Sequence, residues 1–340
     1  MTTSSSTKIT IKEVAQRAGV SIATVSRVLN NSGAVQQQTR DAIMHAAKEL
    51  QYVPNISARN LSRSRTDTIG LLLPDLHGEF FSEVIRGVDQ TAQQSHHHLI
   101  VSSSHNKKNE IEAALHLMRG RVDGLIIMSP QIDAHTLHAN IPRSMPVVLL
   151  NCMVEGSSFD SINIDNFGGA YDMVRHLLGH GHRRIAIIKG SQSNYDADQR
   201  LYGYRKAMIE SGITGSDLIE VTGEFTEADG YAAAKKIIMM DPRPTAIFAS
   251  NDSMAIGAMS AMREAGIKIP DDIAVAGFDD IPISKYIRPP LSSVHVSIAE
   301  LGEHAMQRLL MAIEKKNNYI KQHTAIRATV VIRDSCGVHD

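Results

Sequence analysis

Two sets of side chains in this chain have types and spacing suited to specific chemistry. The first lies in Thr10 to Asn31, TIKEVAQRAGVSIATVSRVLNN. There Arg27 carries a planar guanidinium that can bond guanine O6 and N7, while Ile22 and Ala23 offer small apolar surface for thymine methyls. The hydroxyls of Ser21, Thr24 and Ser26 can reach phosphates or bases. The second set is dispersed. Arg200 is donor-only and Asp279 acceptor-only, so together they can bracket vicinal hydroxyls, which are both. Asn151 and Asn251 offer mixed donors and acceptors, and Phe225, Phe80 and Phe81 offer rings that stack on a sugar or base. The same residues also have plain structural uses: Asp279 or Asp280 as a turn cap, Arg200 as a surface pair, the phenylalanines as core.

The first set needs two short helices and a tight turn. Thr10 can cap a helix with Glu13 in its first turn and Ile11, Val14, Ala15 and Ala18 on one face. Gly19 ends it, and Ser21 caps a second helix with Val25, Val28 and Leu29 inward and Ile22, Ala23, Ser26 and Arg27 on or beside the outer face. Periodicity alone also fits any amphipathic pair joined by a glycine turn. A third helix, from Gln37 or Thr39 to Gln51, brings Ile43, Ala46, Ala47 and Leu50 to a small core, and Pro54 stops it. The following NISARNLSRSRTD is too polar to pack alone and reads as a linker.

From Thr68 onward, strand-like runs alternate with helical ones, the signature of a parallel sheet covered on both faces. Strands are expected at 69–73, 99–102, 124–128, 147–150, 184–189, 218–221, 246–250 and 273–277. Helices are expected at 81–94, 109–120, 168–180, 200–211, 228–239 and 253–266. The pattern occurs twice, so two α/β lobes in tandem should leave a cleft at the carboxyl ends of their strands, where such sheets bind ligands.

Composition narrows the function classes. The 340 residues are 43% hydrophobic and 21% charged, as in ordinary globular proteins. No apolar run approaches the ~20 residues of a membrane span. MTTSSSTKIT lacks the apolar core of an export signal, so a cytoplasmic location is expected. Cys152 and Cys336 are too few and too far apart for a disulfide framework or zinc site and read as reduced thiols. Residues 1–65 hold nine Lys and Arg against three Asp and Glu, whereas the whole chain has net charge −1, so a basic module sits beside an acidic remainder. The histidines His96 to His98, His180 and His182 have no carboxylate or cysteine at ligand spacing and read as solvated loops, so no metal is expected. Phosphate loops, GxGxxG turns and nucleophile elbows are lacking, which points away from an enzyme and from a cofactor.

The string VAQRAGVSIATVSRVLNN, with Val35, Thr39-Arg40 and Tyr52-Val53-Pro54-Asn55, resembles the headpiece of the LacI/GalR family of bacterial transcription regulators. The resemblance runs on through IGLLLPD, VDGLIIM, INIDN, GHRRIAIIKG, RLYGYRKAM, PTAIFASNDSMAIGAM, IPDDIAVAGFDD and PPLSSV. It implies an α/β chain with an all-α helix-turn-helix headpiece (1–54), a hinge helix or linker (55–67) and a two-lobed, periplasmic-binding-protein-like effector domain (68–340). In that fold the chain crosses between lobes three times, with Pro290 to Val296 returning it to the first lobe and a last strand, Ala328 to Arg333, to the second, which places the first lobe at about 68–165 and 294–327 and the second at about 166–293 and 328–340.

The resemblance assigns Thr10, Asn30 and Tyr52 to the DNA-facing set, together with Asn55, Ala58, Arg59 and Leu61 of a hinge that orders on DNA, with Leu61 wedged into a minor-groove step. It places the dispersed polar and aromatic residues in effector contact, and adds Ser129, Asn194 and Asp196. It further implies a homodimer on pseudo-palindromic operator DNA in the nucleoid, acting as a repressor. The effector would be a sugar, sugar phosphate, nucleoside or purine, with release by an inducer or tightening by a corepressor or phosphoprotein both open. A solute-binding protein for transport would share the cleft but has no use for residues 10 to 61. One stretch departs from the family: Leu76-His77-Gly78-Glu79-Phe80-Phe81 stands where many members have a polar residue and Asn-Pro-Phe-Phe, which leaves Glu79 either solvent-facing or on the ligand.

Overall fold

The computed structural model describes residues 9–30, 32–53, 65–130, 132–152, 154, 159–192 and 194–337. It divides into two compact units, Met1–Thr66 and Asp67–Asp340. The hinge residues Asn55, Ala58, Arg59 and Leu61 lie outside the described residues.

The first unit holds three helices: α1 (Ile11–Ala18), α2 (Ile22–Leu29) and α3 (Gln37–Glu49). At the start of α1 the Glu13 carboxylate accepts the Thr10 N–H at 2.6 Å, satisfying a donor that the helix leaves open. Gly19 ends α1 at φ 65°, and the Val20 N–H closes back on the Ala15 carbonyl at 3.0 Å. A β-carbon at Gly19 would meet nothing within 4 Å, so the left-handed turn, not crowding, calls for glycine. Val14, Val25, Val28, Ile43, Ala46 and Ala47 form the core, and Arg17 of α1 clips to Glu49 of α3.

In the second unit each lobe is a six-stranded sheet. The first lobe contains β1 (Thr68–Leu73), β2 (His98–Ser103), β3 (Gly124–Ile127), β4 (Val147–Leu150), β5 (Asp160–Ile164) and β11 (His323–Ile326), in the order β11-β5-β4-β3-β1-β2. The second contains β6 (Ile185–Lys189), β7 (Ile219–Thr222), β8 (Ala246–Ala249), β9 (Ala274–Asp279), β10 (Ser292–His295) and β12 (Thr329–Val331), in the order β12-β10-β9-β8-β6-β7. All pairings are parallel except β10 with β12. The helices are α4 (Glu79–Gln94), α5 (Lys108–Met118), α6 (Ala134–Asn140), α7 (Asn166–Gly179), α8 (Tyr195–Glu210), α9 (Glu227–Ile238), α10 (Asp252–Glu264) and α11 (Ile298–Lys315). Among the described residues no helix is long and apolar enough to cross a membrane.

The chain crosses between the sheets after β5, after β10 and after β11. β10 pairs with β9 as far as His295, so the second crossing begins after His295, two residues beyond the expected boundary at 293/294. The Asp165 N–H donates to the Ile326 carbonyl at 2.9 Å and ties the first crossing to the third. Sequence reading placed no element on β5, β11, α6 or α11. Arg308 of α11 joins three of these segments, bonding Asp160 Oδ1 of β5 at 2.8 Å and Thr324 Oγ1 of β11 at 2.7 Å. The methionines Met254, Met259 and Met262 are core.

Candidate nucleic-acid interface and ligand cleft

The α2 helix begins on Ser21, whose Oγ accepts the Thr24 N–H at 3.1 Å, and its inner face is anchored by Val25 and Val28. The outer face therefore presents Ser21, Ile22, Ala23 and Arg27 to solvent, with Thr24, Ser26 and Asn30 half-buried beside them. Ile22 keeps 44% of its surface exposed, large for an isoleucine on so small a core. No ion pair engages the Arg27 guanidinium among the described residues. Thr10 is exposed at the start of α1, and Tyr52 packs half-buried against the small core. The face is thus one unpaired arginine flanked by apolar and hydroxyl groups, the set that reads base edges in a major groove.

In the second unit a cleft of about 190 Å³ opens at the carboxyl ends of both sets of strands. It is lined by Phe80, Phe81, Asn151, Asn194, Asp196, Arg200, Phe225, Asn251 and Asp279, nine of the ten residues expected there. Ser129 is the exception. Its neighbours Met128 and Pro130 line the cleft, but its own side chain is buried, and its Oγ has no hydrogen-bond partner among the described residues.

Arg200, 4% exposed on α8, organises the floor. Its Nε donates to Asn166 Oδ1 at 2.8 Å, its Nη1 to the Ser250 carbonyl at 2.5 Å, and its Nη2 lies 3.1 Å from Asp279 Oδ1. The guanidinium also stacks 3.7 Å over the Phe278 ring. Asn166 passes the chain of bonds on, donating Nδ2 to Asp196 at 2.8 Å. Asp279 Oδ1 accepts no hydrogen bond from a described residue although an ion-paired nitrogen lies beside it. An acceptor so placed on a cleft wall suits a ligand hydroxyl.

Three of these residues occupy the left-handed region that side chains avoid: Asn151 at φ 46°, Phe225 at φ 69° and Asp279 at φ 105°. Neighbours hold them there. Asn251 caps α10 by accepting the Met254 N–H at 2.9 Å and donates Nδ2 to the Phe225 carbonyl at 3.0 Å, while the Phe225 ring seats on Gly190. Asn151 accepts the Ile164 N–H at 3.1 Å, which leaves its amide nitrogen as a donor. Asn194 caps α8 through Ala197 at 3.0 Å. Phe80 and Phe81 meet edge to face with centroids 5.5 Å apart. The Glu79 carboxylate is on the cleft lining and accepts the Ile283 N–H at 2.9 Å, joining a first-lobe helix to a second-lobe turn.

Burial pushes Asp279 up to about 6 against the pull of Arg200, and raises Asp196 in the same way. Beneath them Asp252, with no exposed surface, is raised to about 8 by burial and by Asp279. Asp252 accepts from Ser293 Oγ at 2.5 Å, Ser284 Oγ at 2.6 Å and the Ile281 N–H at 2.9 Å, and so fixes the turn that follows Asp279. Sequence reading singled out neither Asp252 nor Asn166, because both sit at helix starts where Asp and Asn are ordinary caps.

Residues 10–55 match the family model for bacterial regulatory proteins of the lacI family, and residues 174–336 match that for a periplasmic binding protein-like domain. The chain is 34% identical to the transcriptional repressor PurR of Histophilus somni (strain 129Pt) over 96% of its length and 98% of the relative's. It belongs to the lacI family. To the regulator GalR of Escherichia coli (strain K12) this family member is 36% identical over 90% of each chain. Against the lac repressor dimer bound to operator and the anti-inducer ONPF it gives a TM-score of 0.84 at 29% identity, covering 97% of this chain and 99% of the other. The lacI-family chain is therefore a DNA-binding transcriptional regulator with an effector-binding domain.

Proposed function

We propose that this regulator is a cytoplasmic repressor that binds pseudo-palindromic operator DNA as a homodimer, and that its cleft takes an uncharged polyhydroxylated effector, a free sugar or a nucleoside. The charge of the cleft wall carries the ligand reading. Asp75, Glu79, Asp196, Glu224, Glu227 and Asp279 line it, while its basic groups are His77 and an Arg200 already held by two hydrogen-bond acceptors and ion-paired to Asp279. A phosphate ester entering such a cleft would meet like charge in a space of low dielectric and find no cation to receive it. This argues against the sugar phosphates that remained open from the sequence. Hydroxyls can use Asp279 Oδ1, Asp196 and the Asn151 amide, and Phe225 and Phe80 offer ring faces. The lac repressor structure, a dimer on operator, supports the assembly and its two-fold site.

A melting-point screen of pentoses, hexoses, amino sugars, nucleosides and their phosphate esters tests the reading. An uncharged or amine-bearing polyol should raise the melting point, and its phosphate ester should do so less or not at all. Tighter binding of any ester than of its parent would overturn the charge argument while leaving the family assignment intact.

A further inference from the structure

The histidine run that the sequence left as a solvated loop acquires partners in space. Asp67, His97 and Asp123 are the residues immediately before β1, β2 and β3, which lie side by side in the order β3-β1-β2. Parallel strands in this register bring their amino ends together, with Thr68 opposite His98 and Ile69 opposite Gly124. One ligand-type atom from each of the three side chains falls within 4.8 Å of the others, and all three residues are half-buried. Thirty residues or so separate each from the next along the chain, so no spacing rule could have joined them.

Two further features prepare the cluster. The His97 Nδ1 lies 2.7 Å from the Ser95 carbonyl, which can only accept, so Nδ1 donates there and Nε2 is the ring nitrogen left to face a ligand. A carbonyl behind an imidazole is the usual means of orienting a metal-binding histidine. The Asp67 N–H donates to Asp123 Oδ2 at 2.8 Å and holds that carboxylate over the amino edge of the sheet.

We propose that Asp67, His97 and Asp123 bind a divalent transition-metal ion at the amino-terminal edge of the first lobe's sheet. One imidazole nitrogen and two carboxylate oxygens suit Zn²⁺ or a similar first-row dication, with water completing the shell; Ca²⁺ asks for six or more oxygens. The site is remote from the cleft. Six residues of β1 separate Asp67 from Pro74, about 20 Å of extended chain. Asp67 is also the first residue of the second unit, so a bound ion would pin the point where the linker enters the sensor to two neighbouring strands.

Zn²⁺ is the probe. The full-length chain, stripped with chelator, is dialysed against graded Zn²⁺ and bound metal is read by atomic emission. One ion per chain should bind at this site, and His97→Ala and Asp67→Asn should each weaken it at least tenfold. His96→Ala and His98→Ala, which alter the neighbours of His97 but not the cluster, should leave it unchanged. Equal loss in all the histidine variants, or no loss in His97→Ala, would overturn the proposal. Should a variant fail to fold by circular dichroism, anomalous diffraction at the zinc edge from the unaltered chain decides: a peak among the three residues supports the site, and a peak elsewhere or none refutes it.

Discussion

The titration of Asp252 should be visible in the stability of the effector unit. The residue has no exposed surface, and its carboxyl is raised from 3.8 to about 8. Between those values the folded chain holds a proton that the unfolded chain has released. The stabilisation from this group is therefore fully present below the unfolded pKa and is lost as pH rises through 8. Its slope is about 1.4 kcal/mol per pH unit, so moving from about pH 5.5 to about pH 7.5 should remove roughly 3 kcal/mol. Asp279, at about 6, acts with the same sign over a lower window, but it is present in both proteins to be compared. Asp252→Asn cannot ionise and preserves the shape. Its oxygen can keep the Ile281 N–H, and Ser293 Oγ can turn from donor to acceptor. Urea unfolding followed by circular dichroism, since the chain has no tryptophan, gives both stabilities at each pH. The unfolding free energy of the variant relative to the native chain should rise by about 3 kcal/mol across the range. Parallel pH profiles would mean that the three donors keep Asp252 ionised against burial, and the reasoning would fail.

Arg27→Ala should cost about 1–3 kcal/mol at one base pair per half-site and relax preference there, read by binding to operators altered one position at a time; a uniform loss on every sequence would make Arg27 a phosphate contact. Gly19→Ala adds a β-carbon with room but at φ 65°, so the headpiece should lose about 1–2 kcal/mol from backbone strain alone, measured by its thermal unfolding. Glu79→Ala removes the acceptor of the Ile283 N–H across the lobes and should speed hydrogen exchange at that amide by about 1 kcal/mol of lost protection, whereas Glu79→Gln, still an acceptor, should retain most of it. Unchanged exchange in the alanine variant would show that the bond does not hold the lobes.

The elements with strong periodicity were legible in the sequence. β1, β3, β4, β6 and β8 are runs of aliphatic residues buried on both faces, and their observed bounds lie within a residue of those read from composition. β5 and β11 were not, because DSINI and HTAI have no apolar run; they pair with each other across the crossings and are held by Arg308. α11 has legible helical spacing in Leu301, Ala305, Leu309 and Ala312, although no helix was expected between the return at 290–296 and the last strand at 328–333. At the cleft, the chemistry of Arg200 and Asp279 was readable as residue types, but their partnership was only half seen. They pair with each other, and Asn166, Ser250 and Phe278 complete the guanidinium's shell. Such a shell comes from three separate segments, and no local pattern announces it. The same holds for the acidic wall, whose members come from strand ends and from the first turns of the helices that follow.

β1 links these observations to regulation. Its carboxyl end leads into Pro74 and Asp75 on the cleft wall and then, through the departing Leu76-His77-Gly78-Glu79 stretch, into α4. Its amino end is Thr68, next to the first residue of the unit. A strand inside a sheet, hydrogen-bonded to β2 on one side and β3 on the other, moves as a rigid rod. An effector that replaces the Glu79–Ile283 bond with its own contacts would change the balance between lobe arrangements, and the first-lobe sheet would carry that change to the residue where the linker begins. Coupling of this kind is typically worth 1–3 kcal/mol and is reciprocal, so operator DNA must shift effector affinity by the same factor that effector shifts DNA affinity. Titrating effector with and without operator measures both from one cycle. If the operator leaves effector affinity unchanged, cleft and headpiece are uncoupled, whatever path joins them.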